Sequence, residues 1–292
     1  MRAGLWAEIA VSGILTGGLY ALIALGLNLQ YGLMRILNVA HGEFLMLGAY
    51  LTYALHVGTG MNPLLTMAIT GPAAFAAGLA LHRLLYARAL ADAGAADAFE
   101  GRSLLLSFGL LFAIQNGALL IWSADLRGYS YLSTPLHVAG AVVPANRLVA
   151  AAVALGLSAA FYGFLQRTRL GTAIRALMQD PDAARLVGVD VRRVHGFAFG
   201  AGIAMSAVTG SLISMLFELT PFIGLPYTVT ALVVVILGGV GNVLGSLVAG
   251  LVLGLVETAA VYLASSDIRV IASYAVLSLI LMFRPAGLFG RS

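Results

Sequence analysis

The chain has 292 residues, of which 61% are hydrophobic and 10% charged, with a mean hydropathy of +0.98 and a net charge of +4. That composition excludes an ordinary soluble domain, where about a quarter of residues are charged. All sixteen basic residues are Arg, with no Lys and no Cys, so a phosphate-binding Walker loop is excluded, as are disulfides, thiolate metal sites and cysteine nucleophiles.

Residues 1–32 carry a weak basic start, an apolar run too long for a signal peptide and no small-residue cleavage pattern, so they are expected to stay as the first span. Apolar segments follow the chain at 9–30, 36–55, 62–82, 103–122, 147–165, 194–216, 228–241, 243–263 and 270–284. Most of these unbroken runs approach the about 20 residues that a helix needs to cross a bilayer, and they lack the alternation of a barrel strand. The expected fold is therefore an all-α polytopic membrane protein with eight or nine transmembrane helices, forming one domain over 1–292.

Arginines sort the loops. Arg83, Arg88 and Arg102, the six Arg between 167 and 193, and the tail pair Arg284 and Arg291 should share the cytoplasmic side. Segments 123–146, 217–227 and 264–269 then face outward, with Trp122, Tyr129, Tyr131, Tyr227 and Tyr262 near that boundary. The pI near 9.6 thus reads as topology and not as nucleic-acid binding. The side of the N-terminus depends on whether 228–263 crosses once or twice.

Glycines recur at small-xxx-small spacing in Gly13/Gly17, Gly196/Gly200, Gly241/Gly245 and Gly250/Gly254, which lets helix backbones approach closely in lipid. Two stretches, 34–50 and 231–254, read as interrupted helices, each with a Gly and an Asn at the break. Their placement in the two halves hints at an internal repeat, which in transporters puts the substrate path at the repeat interface.

Ionisable residues inside spans default to function. Arg35, His41 and Glu43 fall at the first break, where they can cap freed backbone, line a wet path or relay protons. Asn28, Asn38 and Asn242 read as amides satisfying unwound backbone and lining the same route. Glu257, about two turns from the outer end of its segment, suits a contact across helices, and Glu218 a surface charge. His41, His56, His82, His137 and His195 show no metal-ligand spacing, and no Gly-x-Ser-Gly nucleophile occurs. No catalytic residue, metal or cofactor is expected.

The charged island over 167–194 is the organised polar element. Thr172 is expected to cap a short helix bearing Ile174, Leu177 and Met178 on one stripe. Asp180 should cap a second, with Pro181 first, Asp182 in its first turn and Gly188 past its end. Ala184 and Val187 give that second helix an apolar face, which suits either the membrane surface or a groove on a soluble partner.

The text LNVAHGEFLMLGAYL (37–51), GTAIRALMQDPDAARLVGVDVRRV (171–194), TALVVVILGGVGNVLGSLVAGLVLGLVE (230–257) and FRPAGLFG (283–290) resembles permease subunits of ABC importers for branched-chain amino acids, the LivH/LivM type. More distantly it resembles sugar permeases of the ribose class. The resemblance covers essentially the whole chain, and the length suits the LivH-like half. It implies a non-catalytic permease of the bacterial inner membrane. Its implied partners are a second, LivM-like permease, two cytoplasmic ATPases, a periplasmic binding protein and membrane lipid, with no nucleic acid.

By the same resemblance the island becomes a coupling loop, with Arg175, Asp180, Asp182, Ala184, Arg185 and Gly188 matching the ATPase-docking pattern. The translocation path is expected at Asn38, His41, Glu43, Gly239 and Asn242, and the loop 123–146 becomes a receptor surface for the binding protein. Selectivity would reside mainly in that binding protein. The main rival is an ion-coupled secondary amino-acid transporter using His41 and Glu43; a channel-like pore is a second.

Overall fold

The computed structural model of the protein describes residues 2–88, 96–138, 140–265 and 267–290. Among them nine apolar helices follow the nine apolar segments: α1 (Arg2–Met34), α2 (His41–Thr59), α3 (Pro63–Leu81), α4 (Ala96–Trp122), α5 (Ala145–Arg167), α8 (Val191–Ser214), α9 (Gly224–Gly238), α10 (Val243–Leu263) and α11 (Ile268–Phe283). Two short helices, α6 (Arg169–Gln179) and α7 (Pro181–Leu186), make up the island. Six of the apolar helices are long and apolar enough to cross a bilayer by themselves; α9 and α11 are shorter, at 15 and 16 residues. The chain is thus a multi-pass helical membrane protein. Arg291 lies outside the described residues.

Side-chain caps set several starts. Asn62 accepts from the Leu64 N–H with Pro63 opening α3, Asp190 accepts from Arg193 N–H at the head of α8, and Asn242 accepts from Gly245 N–H at the head of α10. Past α3 the chain tightens into a π-helical turn, His82–Tyr86, which buries Tyr86 and lets its hydroxyl share a hydrogen bond with Ser107 Oγ of α4 at 3.0 Å.

Helix α1 is the hub, packed on α10, α8, α5 and α9, while α8 also carries α2 and α3. The α1–α10 seam is built from two of the expected glycine pairs. Gly13 and Gly17 face Gly254 and Gly250 so closely that a methyl on Gly17 would sit 2.7 Å from the Leu251 Cα. That contact pairs the start of α1 with the end of α10, and Asn28 with the start of α10, so the two helices run antiparallel. Helices α9 and α10 likewise form a tight antiparallel hairpin, with Gly238 against Gly245. Segment 228–263 therefore folds as two antiparallel helices, and the α1 start lies at the end opposite the arginine-rich loops.

The interrupted second span resolves differently from expectation. Residues 35–40 are irregular chain ending in a turn at Val39–Ala40, and α2 is regular from His41 onward. Arg35, at φ 53°, is exposed at the foot of α1 and is not buried beside His41 and Glu43. Loop 123–146 contains a two-stranded antiparallel hairpin, β1 (Pro135–Val138) with β2 (Ala141–Pro144), that the sequence pattern did not announce.

Candidate translocation site and the arginine-rich end

The irregular segment 36–40 climbs back into the bundle. His41 Nε2 lies 3.1 Å from the Ile23 carbonyl, about 16 Å up α1 from Met34 at 1.5 Å per residue. Helix α2 thus starts near mid-depth, with Ile36, Asn38, Ala40 and His41 fully buried. Backbone groups in a water-free interior must find partners, and each exposed carbonyl here is met by a different element. Ser107 of α4 donates to Leu37 O at 3.2 Å, Thr228 of α9 to Val39 O at 3.1 Å, and Ser206 of α8 to His41 O at 2.6 Å. Gln30 accepts from the Asn38 amide at 3.1 Å and donates to Phe199 O at 3.2 Å.

Glu43 stands two residues on, in the first turn of α2. It is fully buried against Gly224, the first residue of α9, and neither carboxyl oxygen has a hydrogen-bond partner. The Tyr50 hydroxyl and His41 Nδ1 are also unpartnered. Isolated burial of an ionised carboxylate is costly, so an unpartnered Glu43 is unusual for a residue with only a structural role.

The second break lies at the other end of α9. Gly239 and Gly241 take φ 99° and 80°, left-handed geometry that glycine reaches without a Cβ clash. Asn28 of α1 holds the turn, donating to Asn242 O at 3.0 Å and Ser246 Oγ at 2.7 Å and accepting from Gly241 N–H at 2.7 Å. The Asn242 amide donates to Phe289 O at 2.9 Å. The tail returns the favour, since Leu288 and Phe289 N–H donate to the Leu237 and Gly238 carbonyls and so cap α9.

Asn38, His41 and Glu43 gather at the start of α2, and Gly239 with Asn242 at the turn after α9. Glu43 and Gly239 lie at opposite ends of the 15 residues of α9, about 21 Å at helical rise, whereas Asn38, through Gln30, and Asn242, through Asn28, attach to α1 two residues apart.

At the arginine-rich end the island folds as two capped helices. Thr168, not Thr172, caps α6: its Oγ1 accepts from Gly171 N–H at 3.0 Å, and Thr172 instead donates to the Thr168 carbonyl. Helix α6 begins a turn earlier because α5 ends at Arg167. Asp180 Oδ1 accepts from the Asp182 and Ala183 N–H groups at 2.9 and 3.0 Å, Pro181 opens α7, and Gly188 adopts φ 85°. Ile174, Leu177 and Ala184 are buried, whereas Leu186 and Val187 project outward at 90% and 80% exposure. Val187 does not share the buried face of Ala184. Arg175 Nη1 donates to Gln166 Oε1 at 2.6 Å, and Asp182 pairs with Arg185 at 3.1 Å in solvent.

A family model described as the permease component of branched-chain amino acid transport systems matches residues 9–284. The chain belongs to that permease family. Similar proteins include the high-affinity branched-chain amino acid transport permease LivH of Salmonella typhimurium, 28% identical over 96% of this chain and 94% of its own length. BraD of Pseudomonas aeruginosa is 27% identical over the same shares. The ribose import permease RbsC of Haemophilus influenzae is 30% identical, over 32% of each chain. No solved structure matches. As a transport permease component, the protein is not an enzyme.

Two features of the permease escaped the sequence. The partners of the threaded segment, Gln30, Ser107, Ser206 and Thr228, are ordinary polar residues in apolar helices and carry no motif. At the outer end Glu257 does pair across helices, accepting from Tyr20 of α1 at 2.7 Å, Ser273 of α11 at 2.5 Å and Arg269 at 2.8 Å. Arg269 also donates to the Tyr20 hydroxyl. Only the glutamate of this cluster stood out from its apolar surroundings. Glu218 is exposed, as its position suggested.

Proposed function

We propose that the chain is the membrane-spanning subunit of an ATP-binding-cassette importer of the bacterial inner membrane, moving branched-chain or related amino acids by alternating access. It pairs with a second, LivM-like permease, binds two cytoplasmic ATPases and receives substrate from a periplasmic binding protein. The observation that carries this reading is the capped helical pair α6–α7 at the arginine-rich end of a chain matched almost throughout by a transport permease family. The arginine bias makes that end cytoplasmic.

The packing supports a route for force. Ile174 and Leu177 seat α6 in the cluster that contains Leu29 and Leu33 of α1 and Phe199 of α8, and Met178 touches the glycine contact between Gly32 and Gly241. Displacing α6–α7 therefore moves α8 and the turn at 239–242 together. Asp180 and Gly188 fix the loop's shape, Ala184 seats it, and Asp182, Arg185 and Arg175 supply its polar surface. Helix α8 in turn carries Ser206 and hence the start of α2, so the group of Asn38, His41 and Glu43 is mechanically linked to the loop. Glu43 forms the upper part of the path and Gly239 the lower, with α9 between them, and Asn38, His41 and Asn242 line it beside α1.

The test is uptake of labelled leucine by cells co-expressing the chain with a second permease, two ATPases and a binding protein from the same organism. Uptake should vanish with a hydrolysis-dead ATPase and survive a protonophore; the reverse pattern would establish ion-coupled transport and overturn the assignment. Asp180→Arg and Gly188→Pro should leave the chain in the membrane while reducing ATPase co-purification and uptake at least about tenfold, the effect of losing a hot-spot contact worth some 1.4 kcal/mol. Unchanged co-purification in both would refute the docking role.

A further inference from the structure

Two cavities flank the Glu257 cluster. One, of about 170 Å³, opens at the outer end between α1, α5, α10 and α11, and the other, of about 490 Å³, lies along α9 and α11. Tyr20, Tyr227, Glu257 and Arg269 line both, so these four side chains are the wall between them. Beyond the wall both cavities are mixed: Leu225, Val229, Val233 and Leu253 line the second beside Thr230 and Ser273, and Leu15, Leu216 and Val261 the first beside Ser12, Thr16 and Thr258.

The first cavity is also positively biased. Arg147 lines it, is exposed, and makes no hydrogen bond or ion pair among the described residues. It sits in the first turn of α5, where the helix dipole opposes a cation. No partner among the described residues offsets that field, so the guanidinium is free to meet a ligand in the cavity. With Arg269 and Glu257 it leaves the cavity one positive charge in excess. Arg269 itself is 41% exposed, its guanidinium Nη1 uncommitted, while the Glu257 side chain is only 6% exposed.

We infer that this wall is an entry site for a zwitterionic aliphatic amino acid, deepening the importer reading on which it rests. The chemistry selects that ligand class. Opening the Arg269–Glu257 pair is costly on the Glu257 side, where the carboxylate is buried and would be left uncompensated. A zwitterion removes that obstacle, since its carboxylate takes Arg269 in bidentate fashion while its ammonium takes Glu257, and net charge in the wall does not change. Arg147 draws the carboxylate in from the outer side, and the apolar residues of the linings accept the aliphatic side chain on either side of the wall. Exchange of the internal pair for the ligand disconnects Tyr20 and α1 from α11, which joins the two cavities.

The direct test is thermal stabilisation of the detergent-purified permease by L-leucine, by leucinamide, which lacks the carboxylate, and by 4-methylpentanoate, which lacks the ammonium. L-leucine should raise the melting temperature at millimolar concentration, and neither analogue should. Arg147→Gln, at an exposed position that the fold does not use, should weaken leucine about tenfold, as expected for one charge-assisted contact, and raise the KM for uptake with Vmax retained. Arg269→Lys keeps the charge but not the bidentate fork, and should weaken binding further. Equal stabilisation by leucinamide, or stabilisation by phosphatidylglycerol and not by leucine, would overturn the proposal, the latter identifying a lipid headgroup site. ATP-dependent leucine uptake with a wild-type KM in Arg147→Gln would overturn this site alone, and absence of such uptake in the wild type would overturn the importer reading as well.

Discussion

Asn28 shows how much one amide can hold. It satisfies one carbonyl, one N–H and one hydroxyl at the turn between α9 and α10, and no other side chain reaches Gly241 N–H among the described residues. Replacement by isosteric Leu leaves those groups unpaired in a water-poor interior, at about 1–3 kcal/mol for each unsatisfied group. The Asn28→Leu protein is expected to melt several degrees lower in detergent than the wild type, as measured by scanning fluorimetry. The three asparagines were legible in the sequence because an amide in an apolar run needs a reason. Asn28 and Asn242 do satisfy unwound backbone, and Asn38 anchors the threaded segment through Gln30. Ser206 and Thr228 were not legible. A hydroxyl in a membrane helix ordinarily bonds its own preceding turn, as Thr209 does to the Met205 carbonyl, and nothing in the sequence marks the ones that reach across. The Thr168 cap was missed for a similar reason: two threonines four apart both suit the role, and the end of α5 decides between them.

Among elements, the α1–α10 seam rests on glycine. A side chain at Gly17 would meet the Leu251 backbone and the Gly250 carbonyl, neither of which can yield without moving the helix. Gly17→Val should therefore cost at least the 1–3 kcal/mol of an overpacked core, lowering both detergent stability and membrane yield, whereas Gly109→Val, where a side chain meets open space, should be neutral in the same assay. Spacing alone marked both glycine pairs as places of close packing, since small residues four apart leave a groove whatever their partner, but not that the two pairs face each other. It could not identify the start of α2. Hydropathy reports burial, and residues 36–40 are largely buried; irregular chain and helix give the same signal when hydrogen bonds come from neighbours. Strands of four residues in the outer loop carry too little alternation to register.

At the scale of the whole molecule, the antiparallel α9–α10 hairpin puts the α1 start at the end opposite the arginine-rich loops. With those loops inside, as proposed, the α1 start and the β1–β2 hairpin face outward. The absence of native cysteine makes this simple to check with single substitutions at two exposed residues. Ser130→Cys should react with a membrane-impermeant maleimide in intact cells, and Leu186→Cys only after permeabilisation. Labelling of Leu186→Cys in intact cells would invert the molecule and remove the basis for ATPase docking.

The threaded stretch before α2 also constrains how the polypeptide is made. Its carbonyls at Val39 and His41 are satisfied by Thr228 and Ser206, residues synthesised more than 160 positions later. While the ribosome is still working on the middle of the chain, the N-terminal quarter cannot reach its final register, and must wait, inserted but unfastened, for the last third to arrive. Fragments ending before α8 should accordingly enter the membrane yet remain protease-sensitive near residue 38, and co-expression of the missing C-terminal piece should restore protection there.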